Sequence, residues 1–194
     1  MGLPAYPSAI GIIRLCWITF VIVWLAAAAS TKRTVYREST GERWRYWVVL
    51  VIGYFLLIKS SSLPYPFDRL LIPHTKSSAL AGVFLCISGL GFAIWARVML
   101  GRNWSGVITL KEGHELVERG PYRLVRHPIY TGLLAMFAGT AIAIGYFGGL
   151  LGLLLMFASF WMKLKREEDL MLKQFPEKYA AYQRRVKRII PFLV

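Results

Sequence analysis

Two short runs hold the residue types that bind and react. The first reads His114-Glu115-Leu116-Val117-Glu118-Arg119-Gly120-Pro121-Tyr122-Arg123-Leu124-Val125-Arg126-His127-Pro128-Ile129-Tyr130-Thr131-Gly132. Gly120-Pro121 spells a turn. Pro128 suits the first turn of a helix, where its missing N–H costs nothing. A helix starting there offers free backbone N–H groups and a positive dipole end to a carboxylate or another electron-rich group. Tyr122 and Tyr130 offer aromatic faces to an adenine or a sulfonium. Singly, each of these residues is ordinary: an interfacial tyrosine, or a histidine capping a helix. The whole run is not, because a cap does not require two aromatics, two histidines and a proline together.

The second run is Lys163-Leu164-Lys165-Arg166-Glu167-Glu168-Asp169, three acids directly after a long apolar stretch. It reads as a solvated helix start stabilised by the helix dipole. It reads equally as a clamp for an amino group or for ribose hydroxyls, and the two readings are compatible.

The elements that position these runs are set by composition. Of 194 residues, 56% are hydrophobic and only 18% charged, well below the charge of an ordinary soluble domain. Seven tryptophans and 14% aromatics fit membrane-interface anchors. A span needs roughly 20 mostly apolar residues. Candidates run over about 8–29, 44–58 and 78–100, and a further apolar stretch runs from 129 to 164. That stretch is too long for one crossing. Gly145, Gly148 and Gly149 fall near its middle, so it reads as a helical hairpin, 129–145 and 148–164, with a re-entrant hairpin as the alternative. The expected fold is a single all-α membrane domain over 1–194: about five transmembrane helices, a site loop over 101–128 and a short cytoplasmic helical tail over 165–194.

Charge placement gives the expected orientation. Five Lys or Arg lie in 31–46, six in 97–128 and nine from Lys163 onward, against three in 59–77 and none in the hairpin turn. Five crossings put the three basic segments on one side, the cytoplasm, with the N-terminus outside. A net charge of +14 arranged between apolar segments speaks against nucleic acid as a partner. In the tail, Leu172, Phe175, Tyr179, Tyr182 and Val186 share one helical face, and Pro176 predicts a bend near Phe175. Cys16 and Cys86 each sit in an apolar stretch and read as small buried hydrophobes. Three widely spaced histidines and no spaced cysteines predict no metal. The first apolar run is too long, and lacks the basic lead, for a cleavable signal.

The pattern Gly120-Pro121-Tyr122-x3-Arg126-His127-Pro128-x-Tyr130-x-Gly132, with His114-x-Leu116-Val117 before it and Glu167-Glu168-x6-Phe175-x3-Tyr179-x2-Tyr182 after it, resembles the isoprenylcysteine carboxyl methyltransferase family and the related membrane phospholipid methyltransferases. The likeness covers roughly the C-terminal half and is specific as a pair of motifs. It implies S-adenosylmethionine as methyl donor, leaving S-adenosylhomocysteine. It implies donor contacts from His114, Glu115, Leu116, Val117, Tyr122, His127, Pro128, Ile129, Tyr130 and Glu167, and, through a looser match, from Thr109. It also implies catalytic roles for Glu167 and for the position four residues before it. That position, an arginine in the family, is Lys163 here; lysine keeps the charge but loses the bidentate fork that suits a carboxylate.

The acceptor implied is lipid-like or prenylated, reached from the bilayer, and the reaction is carboxyl methylation. An amine N-methylation of phospholipid is the alternative, and an NADPH-dependent sterol-type reductase a weaker one. A Gly-rich soluble cofactor fold is not expected, since Gly89-x-Gly91 lies inside an apolar helix with no strand before it.

Overall fold

The computed structural model describes residues 6–28, 34–37, 40–101, 104, 109–111 and 116–190. Six α-helices dominate: α1 (Pro7–Ala28), α2 (Thr40–Lys59), α3 (Lys76–Leu100), α4 (Pro128–Ile144), α5 (Phe147–Gln174) and α6 (Pro176–Arg185). Helices α1, α3 and α5 are long and apolar enough to cross a membrane, and α4 is a shorter apolar helix of 17 residues. Helix α2 begins at Thr40, ahead of the expected start, so its first turns carry Glu42, Arg43 and Arg45. The chain is a helical membrane protein. One small element departs from the all-α expectation. Strands β1 (Thr34–Arg37) and β2 (Thr109–Lys111) pair antiparallel, with Thr34 opposite Lys111 and Arg37 opposite Thr109. Strands this short leave no alternation to read in a sequence.

Local chemistry sets the helix ends. Thr75 and Ser78 cap α3 reciprocally, each side chain accepting from the other's backbone N–H. Pro128 opens α4, and Gly145 closes it in the left-handed region at φ 77°, which permits the tight turn into α5. The segment 59–75 folds against that turn: the N–H groups of Leu71 and Ile72 both donate to Gly145 O, at 2.9 and 3.0 Å.

Helix α5 differs most from expectation. Its apolar stretch ends near Leu164, but the helix continues to Gln174. Twenty-eight residues span about 42 Å, more than the ~30 Å hydrocarbon core, so its end projects beyond the apolar layer. The acidic run therefore lies inside a helix rather than at its start, and dipole stabilisation does not explain it. The expected bend follows at Phe175, and α6 begins at Pro176.

Helix α4 is the centre of the bundle. It packs against α3 and α5 and touches α1; α2 packs against α5. The α3–α4 seam is built on missing side chains. A Cβ added at Gly132 would lie 2.5 Å from Gly89 O, and one added at Gly82 would lie 2.7 Å from Gly139 O. Gly53 and Gly152 make the same approach between α2 and α5. Apolar clusters fill the remaining space: Leu57, Phe137, Ala141, Met156 and Phe160 in one, and Ile13, Cys16, Cys86 and Met136 in the other. Both cysteines are buried and free, as read. Outward side chains such as Leu15, Leu25, Val51, Phe55, Phe84 and Val98 stay exposed, as a lipid-facing surface requires.

Candidate functional site

The site forms where the start of α4 meets the projecting end of α5. Its most exposed acid is Glu167. The Tyr130 hydroxyl donates to Glu167 Oε1 at 2.8 Å. Lys163, one turn earlier on α5, places Nζ 3.9 Å from the same oxygen and 5.4 Å above the Tyr130 ring. The other oxygen, Oε2, lies 3.7 Å from His127 Nδ1. Tyr130 and His127 of the first run and Lys163 and Glu167 of the second thus converge.

His127 occupies the cap position of α4 but makes no side-chain capping bond. Its ring turns toward α5 instead, with Nε2 3.0 Å from Glu168 Oε1. Two backbone amides just ahead of the helix are held by the chain after α6. Arg126 N–H donates to Lys187 O at 2.8 Å, and His127 N–H to Arg188 O at 3.0 Å. Thr131 Oγ1 donates to Ile189 O at 2.7 Å. These bonds tie the strap over 187–189, which follows α6, to the start of α4.

Glu168 is the residue the sequence undervalued. It is 2% exposed and accepts from Arg126, Arg188 and Gln183. Burial alone would raise its pKa. Hydrogen bonds from His127 and Arg188, and the nearby Arg126 charge, more than offset this and hold the carboxyl at about 2. A signal for it existed: Gly148, Gly152, Met156, Phe160, Leu164 and Glu168 recur in steps of four and are all buried, so Glu168 continues the inward stripe of α5. Asp169 is exposed on another face.

Tyr122 sits in a short 3₁₀ turn, Gly120–Arg123, opened by Gly120 at φ 62°. Its ring is buried. Its carbonyl accepts from Tyr182 OH at 2.5 Å, and its own hydroxyl reaches Ala96 O at 3.5 Å. Burial, then the nearby Tyr182 and Glu167 charges, push its phenol far above the ordinary range. Burial and Glu118 do the same for Tyr182. Both rings are packing groups as well as possible faces for a ligand. Pro128 is buried, and Leu116, Val117 and Ile129 are half-buried. Thr109 lies in β2 with only its backbone described, and His114 and Glu115 fall outside the described residues.

Sequence reading also passed over Arg97. It is buried at the end of α3, donates to Gly101 O and Ala27 O at 2.7 Å each, and stacks 4.6 Å over Trp104. It ties the last turn of α1 to α3. Among the described residues, no three His, Cys, Asp or Glu side chains gather as a metal would need.

Comparison with known proteins matches this geometry to a family. A rice protein (Oryza sativa subsp. indica) named a probable protein-S-isoprenylcysteine O-methyltransferase is 29% identical over 175 residues, covering 87% of this chain and 87% of that one. The Schizosaccharomyces pombe protein-S-isoprenylcysteine O-methyltransferase is 28% identical, over 76% of this chain and 67% of its own. The human one is 25% identical, over 73% and 52%. Among solved structures, a eukaryotic intramembrane Ras methyltransferase, isoprenylcysteine carboxyl methyltransferase, superposes with a TM-score of 0.53 at 25% identity. That match covers 82% of this chain and 55% of the solved one, so the chain spans about half the length of that structure. The phospholipid methyltransferase model matches residues 77–178, more than half of the chain and both runs of site residues, and the chain belongs to the phospholipid methyltransferase family.

Proposed function

We propose that this membrane methyltransferase moves a methyl group from S-adenosylmethionine to the carboxylate of a lipid-like acceptor of the isoprenylcysteine type. The carrying observation is the convergence of Glu167, Tyr130, His127 and Lys163 at the projecting end of α5, on the residues of the paired motifs. The names of the relatives support the carboxylate as acceptor.

The residues fit the donor. Among the described residues, Glu167 Oε2 has no donor within hydrogen-bond distance, while Oε1 is held by Tyr130. A carboxylate oriented on one oxygen and open on the other suits an ammonium or ribose hydroxyls. Held by Glu167, Tyr130 and His127, S-adenosylmethionine would supply an electrophilic methyl group for an acceptor oxygen. An acceptor carboxyl with a pKa of about 4 is ionised at neutral pH, so no side chain has to remove a proton. The protein's contribution is orientation and exclusion of water, with alignment alone accounting for roughly 7–11 kcal/mol in favourable cases. Lys163, 13% exposed beside the aromatic faces of Tyr130 and Tyr46, is the cation placed to meet an anionic acceptor. It does so as a point charge rather than a fork.

In this reading the segments 31–46, 97–128 and 165–194 face the cytoplasm. The donor enters from water and the acceptor from the bilayer between helices. The test is a methyl-transfer assay with purified protein over prenylcysteine analogues, phosphatidylethanolamine and free fatty acids. Transfer to the prenylcysteine carboxylate is expected. Transfer to phosphatidylethanolamine alone would reassign the chain to amine methylation. Stabilisation by NADPH but not by S-adenosylhomocysteine would remove the donor assignment.

A further inference from the structure

Glu168 has no part in the reaction as read so far, yet it is the most heavily bonded side chain near the site. Its Oε1 accepts from Arg126 Nε at 2.9 Å and Nη2 at 2.8 Å, and lies 3.0 Å from His127 Nε2. Its Oε2 accepts from Gln183 Nε2 at 3.2 Å and from Arg188 Nε and Nη2 at 3.1 and 2.6 Å. A carboxylate clasped by two guanidiniums only accepts, so the hydrogen in its bond to His127 belongs to the imidazole. In the neutral ring, a hydrogen on Nε2 leaves Nδ1 bare.

Nδ1 points at Glu167 Oε2 across 3.7 Å, too far for a direct bond. Among the described residues, two acceptors therefore face one gap with no donor between them. The ring is held by its bond to Glu168, and the His127 backbone by its N–H to Arg188 O and by Thr131 bonding back to its carbonyl. A gap lined by two acceptors, one of them anionic, fits a group with several N–H bonds and a positive charge: a primary ammonium.

We propose that Glu168 is a positioning residue that fixes the hydrogen of His127 on Nε2, so that bare Nδ1 and Glu167 Oε2 together receive the primary ammonium of the donor. The ammonium half rests on the donor reading given above; the tautomer half does not. Glu168 itself touches neither donor nor acceptor. It acts through His127, and through the Arg126 and Arg188 contacts that hold the strap.

The experiment is nitrogen NMR of detergent-solubilised full-length protein with isotopically labelled histidine, recorded without donor at about pH 8, where an unperturbed imidazole is neutral. The His127 signals are assigned by their loss in His127→Asn. The wild type should show one protonated nitrogen, Nε2, and one bare nitrogen, Nδ1. A doubly protonated ring, or a hydrogen on Nδ1, overturns the proposal whether or not any variant folds. Glu168→Gln should mix the tautomers and weaken S-adenosylhomocysteine binding about tenfold or more, with Glu168→Asp recovering part of both. A Glu168→Gln protein that only melts earlier, with tautomer and affinity unchanged, makes Glu168 a purely structural residue and overturns the proposal. Wild-type protein with the expected tautomer but no S-adenosylhomocysteine binding overturns the donor reading and the ammonium with it.

Discussion

The seam between α3 and α4 and the knot around Glu168 hold neighbouring parts of the same helix by opposite means. At the seam, Gly82, Gly89, Gly132 and Gly139 remove side chains so that backbones touch. At the knot, Arg126, His127, Gln183 and Arg188 crowd charge and hydrogen bonds onto one buried carboxylate. Lipid explains the first, since apolar side chains gain nothing by leaving lipid for protein and close packing must hold helices together. The interface explains the second, because where α5 leaves the apolar layer charged groups can be recruited, provided each is paired once buried. Tolerance therefore changes along α4: its middle accepts no added volume, and its start accepts no lost charge.

The largest expected effect breaks the knot. Glu168→Ala leaves Arg126 and Arg188 without their carboxylate, and loss of one partner of a buried pair costs about 3–5 kcal/mol. Thermal unfolding in detergent should show it as the largest drop among single substitutions at the site. Glu167→Gln sharpens the contrast, because Glu167 is the open acid beside the buried one. It should lower kcat/KM by roughly 10- to 150-fold, the loss of a charged hydrogen bond of about 1.5–3 kcal/mol, while leaving the unfolding temperature nearly unchanged. Asp169→Asn, on the exposed face, should lose less activity. Near-wild-type activity in both would remove Glu167 from the active site.

At the seam, Gly132→Ala should destabilise by about 1–3 kcal/mol through overpacking against Gly89 and Ala93. Gly91→Ala, which meets nothing within 4 Å, is its matched control and should be neutral. Equal melting temperatures for the two variants would show that the seam is looser than described. The smallest effect belongs to the exposed Arg185–Glu118 pair, 2.7 Å apart, whose loss through Glu118→Gln should cost at most about 1 kcal/mol and fade with added salt.

Much of this was readable from residue types. Apolar run lengths gave the helices, Gly145 the hairpin turn, and Pro176 the bend after α5. Charge and motif placed Tyr130, His127, Lys163 and Glu167 together. What escaped had one of two causes. The strap and the ribbon are made by backbone groups, which every residue has, so Lys187 O bonding Arg126 N–H leaves no mark in composition. The roles of the two glutamates depend on helix phase, and the phase was lost by ending α5 at 164 rather than following its four-residue stripe to Glu168. The seam glycines are spaced seven apart in each helix, 82 to 89 and 132 to 139, a pattern visible in the sequence but meaningful only once the helices are known to face each other.

The strap also has a consequence in time. His127 and Thr131 obtain their outer partners from residues made about sixty positions later in synthesis. At roughly 5–20 residues per second, the start of α4 waits about 3–12 s for Arg188 and Ile189 to emerge from the ribosome. During that interval α4 and α5 can already be inserted while the Arg126 and His127 amides are still open to water. The contacts of the strap therefore form after the hairpin has been made, and the start of α4 is completed later than its middle.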